Sequence, residues 1–129
     1  MSMVTVGQLI NHKLVTAPGT MNAVEAAKSM SAHRVGSILV EHDRHIVGIV
    51  TESDIVRKVL GTGQEPSLFP IGVIMSAPLI GIDERRPITE AADLMYRYGV
   101  RHLVVRKADA VVGILSVRDL LRPVSTDDF

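Results

Sequence analysis

The 129-residue sequence contains no cysteine and no tryptophan. Without cysteine there is no disulfide, no thiolate nucleophile and no thiolate-ligated zinc, which fits a reducing cytosolic setting. Aromatic residues make up 3% of the chain against 47% hydrophobic residues overall. The core must therefore be built from Val, Ile, Leu, Met and Ala, and any pocket for a flat ligand is aliphatic. Net charge is missing too: 14 Lys and Arg balance 14 Asp and Glu, leaving no global field to attract nucleic acid or an anionic membrane. No apolar run approaches the roughly 18 to 20 residues of a membrane span, and Met1 to Ile10 has neither a basic region nor a long apolar one. The expectation is a soluble, cytoplasmic protein of one domain's size. Its high apolar fraction hints at a further face buried against another subunit.

What the chain does have is a duplication. Displaced by 65 positions, residues 5–57 align with 70–122 without a gap. Identities include Gly7/Gly72, Glu25/Glu90, Met30/Met95, Val40/Val105, Gly48/Gly113, Asp54/Asp119 and Arg57/Arg122. Each copy opens on a short apolar turn and a brief extended piece, at Leu14-Val15 or Leu79-Ile80. A helix follows, with Ala23, Ala26, Ala27 and Met30, or Ile88, Ala91, Ala92 and Met95, on one apolar stripe. Beta-branched residues then gather at 37–40 and 46–51, and at 103–105 and 111–116, as two strands joined by polar turns. A second helix is expected from Glu52 to Leu60 and from Val117 to Leu121, the latter ended by Pro123. The boundaries that follow are repeat 1 over 5–60, a linker over 61–69 and repeat 2 over 70–123, with a frayed tail from Ser125 to Phe129. The fold class is α/β, of the α+β kind: two β-α-β-β-α repeats related by a pseudo-twofold within one module.

The best-matched stretches are Val47-Gly48-Ile49-Val50-Thr51-Glu52-Ser53-Asp54 and Val112-Gly113-Ile114-Leu115-Ser116-Val117-Arg118-Asp119. In each, a strand runs into a helix start, with a hydroxyl residue three positions before an aspartate. One meaning is purely structural: Thr51 and Ser116 are N-caps, and Asp54 and Asp119 close a variant capping box. The other is ligand chemistry, since N–H groups, a hydroxyl and a carboxylate together suit a phosphate and a sugar diol.

These motifs, the β-α-β-β-α repeat and the run Val100-Arg101-His102-Leu103-Val104-Val105 resemble a tandem CBS (cystathionine β-synthase) domain pair, the Bateman module, over nearly the whole chain. The resemblance implies a sensor that binds an adenosyl ligand, AMP, ADP, ATP or S-adenosylmethionine, in clefts between the repeats. It implies that Asp54 and Asp119 bond the ribose hydroxyls and that Thr51 and Ser116 bond phosphate. Backbone around Val15-Thr16-Ala17 and Ile80-Gly81-Ile82 would read the adenine edge. Arg101, His102 and Arg118 are candidate phosphate contacts, and they stand where the first copy has Gly36, Ser37 and Ser53. The implied partners are an adenine nucleotide, a second copy of the chain in a homodimer, and an unidentified regulated enzyme or transporter.

No catalytic residue and no catalytic cofactor is expected. His12, His33, His42, His45 and His102 lack metal-site spacing, Gly61-Thr62-Gly63 lacks the length and ending of a phosphate-binding P-loop, and there is no Gly-x-Ser-x-Gly. Two other functions stay open: a structural dimerisation module whose caps are only caps, and a nucleic-acid-binding regulator using Arg57-Lys58, Arg85-Arg86 and Arg106-Lys107. The second is disfavoured by zero net charge and by aromatics that do not interleave with the basic clusters.

Overall fold

The computed structural model describes residues 3–121. Arg122, the expected helix stop at Pro123 and the tail from Ser125 to Phe129 lie outside the described residues. The chain is mixed α+β, and the expected element order appears twice. The first copy runs α1 Val6–Leu9, β1 Thr16–Pro18, α2 Ala23–His33, β2 Ser37–His42, β3 His45–Thr51 and α3 Glu52–Asp54. The second runs α4 Ile71–Ile74, β4 Gly81–Asp83, α5 Ile88–Tyr98, β5 His102–Lys107, β6 Ala110–Ser116 and α6 Val117–Leu120. Each copy has a three-stranded sheet, β1-β2-β3 or β4-β5-β6, with its first pair parallel and its second antiparallel.

The two compact units do not follow the repeat in sequence. Among the described residues, one comprises 14–79 and the other 3–13 together with 80–121. In the first, α4 docks on the β1–α2 loop, where Ile71 N–H donates to the Met21 carbonyl and Gly72 N–H to the Gly19 carbonyl. In the other, α1 does the same with Arg86 and Glu84. Each repeat thus contributes its opening segment to the sheet of the other. The motif glycines make room for the segment that follows. A Cβ at Gly48 would lie 2.5 Å from Met75 Sδ, and one at Gly113 would lie 2.9 Å from the Asn11 carbonyl oxygen. That proximity lets Ser76 bridge to Ile49 and Asn11 to Ile114.

Helix α2 is started by Asn22, whose side chain accepts from the Glu25 N–H at 2.9 Å. It ends at Arg34, held in the left-handed region at φ 55°. Helix α5 ends the same way at Gly99, φ 63°, a residue with no Cβ to strain. Ala23, Ala26 and Met30 are buried against Ile38, Val40 and Val50, and Ala91 and Met95 against Leu103, Val105 and Leu115. Ala27 and Ala92, expected on the same stripe, are exposed in both copies. The helix buries a strip narrower than its apolar pattern allows, and an alanine costs little where it meets water.

Other boundaries move as well. The first strand of each copy begins two residues later than its apolar run, because pairing starts at Thr16↔Leu39 and Gly81↔Val104. Helix 52–60 is α-helical only through Asp54. Residues Ile55–Val59 form a π-helical turn and Leu60–Thr62 a 3₁₀ turn. The linker carries a further 3₁₀ turn at Pro66–Leu68.

Candidate functional site

The end of β6 and the start of α6 make one half of the candidate site. Ser116 is extended, at φ −109° and ψ 163°, so its side chain turns back over the first turn of α6. Its Oγ accepts from the Asp119 N–H at 3.2 Å and donates to Asp119 Oδ2 at 3.0 Å, while its N–H donates to the same oxygen at 2.7 Å. Asp119 Oδ1 has no partner among the described residues. His102 stands directly opposite Ser116 across β5 and β6. The Arg101 carbonyl accepts from the Val117 N–H at 2.9 Å, which fixes the backbone of Arg101 beside the start of α6. Arg101 and Arg118 are exposed, and neither forms an ion pair among the described residues.

The first copy has the same frame with different charges around it. Thr51 and Asp54 form the equivalent ring, at 2.9, 3.1 and 3.2 Å. Here the carboxylate is buried, and its other oxygen, Oδ1, is 3.0 Å from Lys58 Nζ. Lys58 Nζ also donates to the Ile74 carbonyl at 2.9 Å. Gly36, the counterpart of Arg101, faces the Glu52 carboxylate, whose Cδ would be 3.7 Å from a Cβ there. The second copy thus keeps Arg101 and Arg118 exposed, and the first sets a lysine on its aspartate and a glutamate beside Gly36.

The backbone expected to read a base resolves into fewer positions. Ala17 and Ile82 bury their side chains in the cores, and Val15 and Ile80 pack against the same cores. The Val15 and Ile80 carbonyls are already taken by Leu39 N–H, at 2.9 Å, and Val104 N–H, at 3.0 Å. Thr16 and Gly81 are different. On a parallel edge strand alternate residues turn their polar groups away from the neighbouring strand, so these two present N–H and C=O on the edge that β2 or β5 does not occupy. Register puts Gly81, His102 and Ser116 on one face of their sheet, and Thr16, Ser37 and Thr51 on one face of the other.

Sequence reasoning misses three neighbours of the site. Lys58 and Glu52 read as ordinary surface charges, although Lys58 stands at i+4 from Asp54, the spacing of a helical ion pair. Arg106 is the third: its guanidinium lies over Gly81, in the space that a Cβ at that position would need. The signal was a glycine one diagonal away from a long cation. Nearby, the guanidinium and N–H of Arg85 hold the Asp83 carboxyl below its ordinary pKa.

The CBS domain profile matches residues 6–61 and again 71–125. The chain belongs to the CBS domain family. An uncharacterized protein of Methanopyrus kandleri is 34% identical over 124 residues, spanning 95% of this chain and 63% of its own length. The chain therefore covers just under two-thirds of that relative. The structure of a conserved protein from Pyrococcus horikoshii superposes with a TM-score of 0.87 at 29% identity, over 98% of this chain and 99% of that one. A CBS domain protein from Pyrobaculum aerophilum, solved in complex with AMP, superposes with a TM-score of 0.80 at 29% identity, over 93% of this chain and 92% of the other. CBS membership accounts for the duplication and for the two matched strand-to-helix junctions. Among the described residues, no cluster of His, Asp and Glu is placed to hold a metal ion, and no helix is long and apolar enough to cross a membrane.

Proposed function

We propose that this chain is a ligand-sensing regulatory module that binds an adenosyl ligand, AMP, ADP, ATP or S-adenosylmethionine, and performs no reaction of its own. The observation that carries the reading is the Ser116–Asp119 ring, whose carboxylate keeps Oδ1 unengaged among the described residues, with His102 across the strands from Ser116 and the Arg101 carbonyl bonded to the first residue of α6. A carboxylate accepts well from a vicinal diol, and a hydroxyl flanked by helix N–H groups donates to phosphate. Ser116 has one O–H to give, so donating it to a phosphate also releases a lone pair on Asp119 Oδ2. His102 lies opposite Ser116 across the strands, with Arg101 and Arg118 as further phosphate contacts, and Gly81 of the same sheet turns its N–H and C=O to the edge that β5 does not occupy, as Thr16 does in the sheet of Thr51. The AMP complex of the Pyrobaculum relative supports the ligand class.

Occupancy is passed on through a partner, an enzyme or transporter, or through a homodimer in the cytoplasm. The apolar helix stripe does not argue for the dimer, since its buried members serve the unit's own core. Val56 and Leu60, 56% and 54% exposed on the helical stretch after Asp54, are better candidates. Light scattering that finds only monomer across micromolar concentrations refutes the dimer.

A thermal-shift panel of AMP, ADP, ATP, GTP and S-adenosylmethionine tests the ligand reading. A ligand at about 100 times its Kd adds roughly 2.7 kcal/mol of stability. An unmoved Tm with every adenosyl compound refutes it. The competing reading, a structural module whose caps are only caps, draws on the capping boxes, both complete in the ligand-free fold.

A further inference from the structure

We infer that the two motifs are not two copies of one binding site: the Asp119 motif takes the adenosyl ligand, and the Asp54 motif is closed by the chain's own Lys58. This rests on the ligand reading above and narrows it to one position.

Counting lone pairs leads there. A carboxylate offers about four acceptor positions. Asp119 spends two on Ser116, both at Oδ2, and among the described residues keeps Oδ1 for the two hydroxyls of a ribose. Asp54 spends the same two on Thr51 and a third on Lys58, at Oδ1. One position remains for two hydroxyls. A diol entering here must displace an ammonium from a buried carboxylate, and unpairing such a charge is costly. Lys58 is itself 47% exposed, but it is held at a second point, because it also donates to the last carbonyl of α4, at Ile74. An exposed ion pair would contribute little, but this one is anchored at both ends on a side chain that is 12% exposed at Asp54.

Charge points the same way. The phosphate of a nucleotide placed at Thr51 would meet the Glu52 carboxylate beside Gly36. At Ser116 the equivalents of Glu52 and Gly36 are Val117 and Arg101, and the equivalent of Lys58 is Pro123, which has no cation to offer. The second copy removes an anion, adds a cation and leaves its aspartate open. All three changes favour an anionic diol ligand at Asp119 and disfavour it at Asp54.

Calorimetric titration of the full chain with AMP, ATP and S-adenosylmethionine tests this. The wild type is expected to bind one molecule per chain, and Asp119→Asn, which keeps an acceptor for the cap, to weaken that binding by about tenfold or more. Lys58→Met is expected to expose a second, weaker site, which the double change Lys58→Met/Asp54→Asn removes again. Thermal melts of each variant establish that it is folded. Two molecules per wild-type chain, or one that survives Asp119→Asn, overturns the inference, as does a Lys58→Met chain that still binds only one. If none of the three compounds binds the wild type, the ligand reading falls and this assignment falls with it; a stoichiometry of two leaves the ligand reading standing and sinks the assignment alone.

Discussion

Asp119 Oδ2 accepts from both the N–H and the O–H of Ser116, at 2.7 and 3.0 Å, so one oxygen closes the N-terminus of α6 and the other stays out of the cap. The residue can cap and bind at once, and its substitutions separate the two roles. Asp119→Ala is expected to lower unfolding stability by about 0.5–2 kcal/mol through the cap and, separately, to weaken nucleotide binding by about tenfold or more. Urea melts and a binding isotherm on the same variant check this. Lost stability with binding intact leaves only a cap.

Helix α2 ends on Arg34 at φ 55°, where its counterpart α5 ends on Gly99 at φ 63°. A side chain in the left-handed region is strained, and glycine is not. Arg34→Gly is therefore expected to stabilise the fold by about 0.5–1 kcal/mol, and Gly99→Ala to destabilise it by about 1 kcal/mol. Opposite signs in thermal or chemical denaturation support the account, and two losses contradict it.

The motif glycines differ in what presses on them. A new Cβ at Gly48 meets the thioether of Met75, a flexible side chain, at 2.5 Å and the Ser76 carbonyl only at 3.1 Å, whereas at Gly113 it meets the Asn11 carbonyl at 2.9 Å and Ile10 Cδ1 at 2.7 Å. Methionine can repack and backbone cannot. Gly113→Ala is expected to cost about 1–3 kcal/mol and Gly48→Ala less. Equal costs in denaturant melts would show that the approach of residues 10–11 to β6 is looser than its geometry.

The Arg85 side chain and N–H favour the ionised form of Asp83, so its folded pKa lies below its unfolded one. The contribution is then fully present above the unfolded pKa, about 4, and disappears as pH falls through the folded value. The stability difference between wild type and Asp83→Asn should be flat from pH 7 to about pH 4 and shrink below it. Urea melts across that range read the trend; a difference that persists at the lowest pH assigns it to something other than the carboxylate.

Local chemistry made much of this protein legible in its residues alone. A gapless duplication announces two like units, β-branched runs after an alanine-rich helix announce paired strands, and a hydroxyl three residues before an aspartate announces a capped helix. These depend on neighbours within a few positions, and such neighbours are close in the sequence as well as in space. Even there, pairing partners rather than apolar content set where β1 and β4 begin, and the outer side of the stripe at Ala27 and Ala92 met solvent.

What only the tertiary structure decided are relations between distant residues. Residues 5–11 join the sheet of the second repeat, and residues 70–76 join that of the first, because an apolar helix docks where backbone carbonyls and a glycine gap receive it, whatever its place in the chain. Lys58, at helical spacing from Asp54, also reaches the distant Ile74 carbonyl once α4 has docked, and the β4–β5 register lays Arg106 over Gly81. Two identical aspartates in two matched motifs read as equals in sequence; the fold pairs Asp54 with Lys58, and among the described residues Asp119 Oδ1 has no such partner.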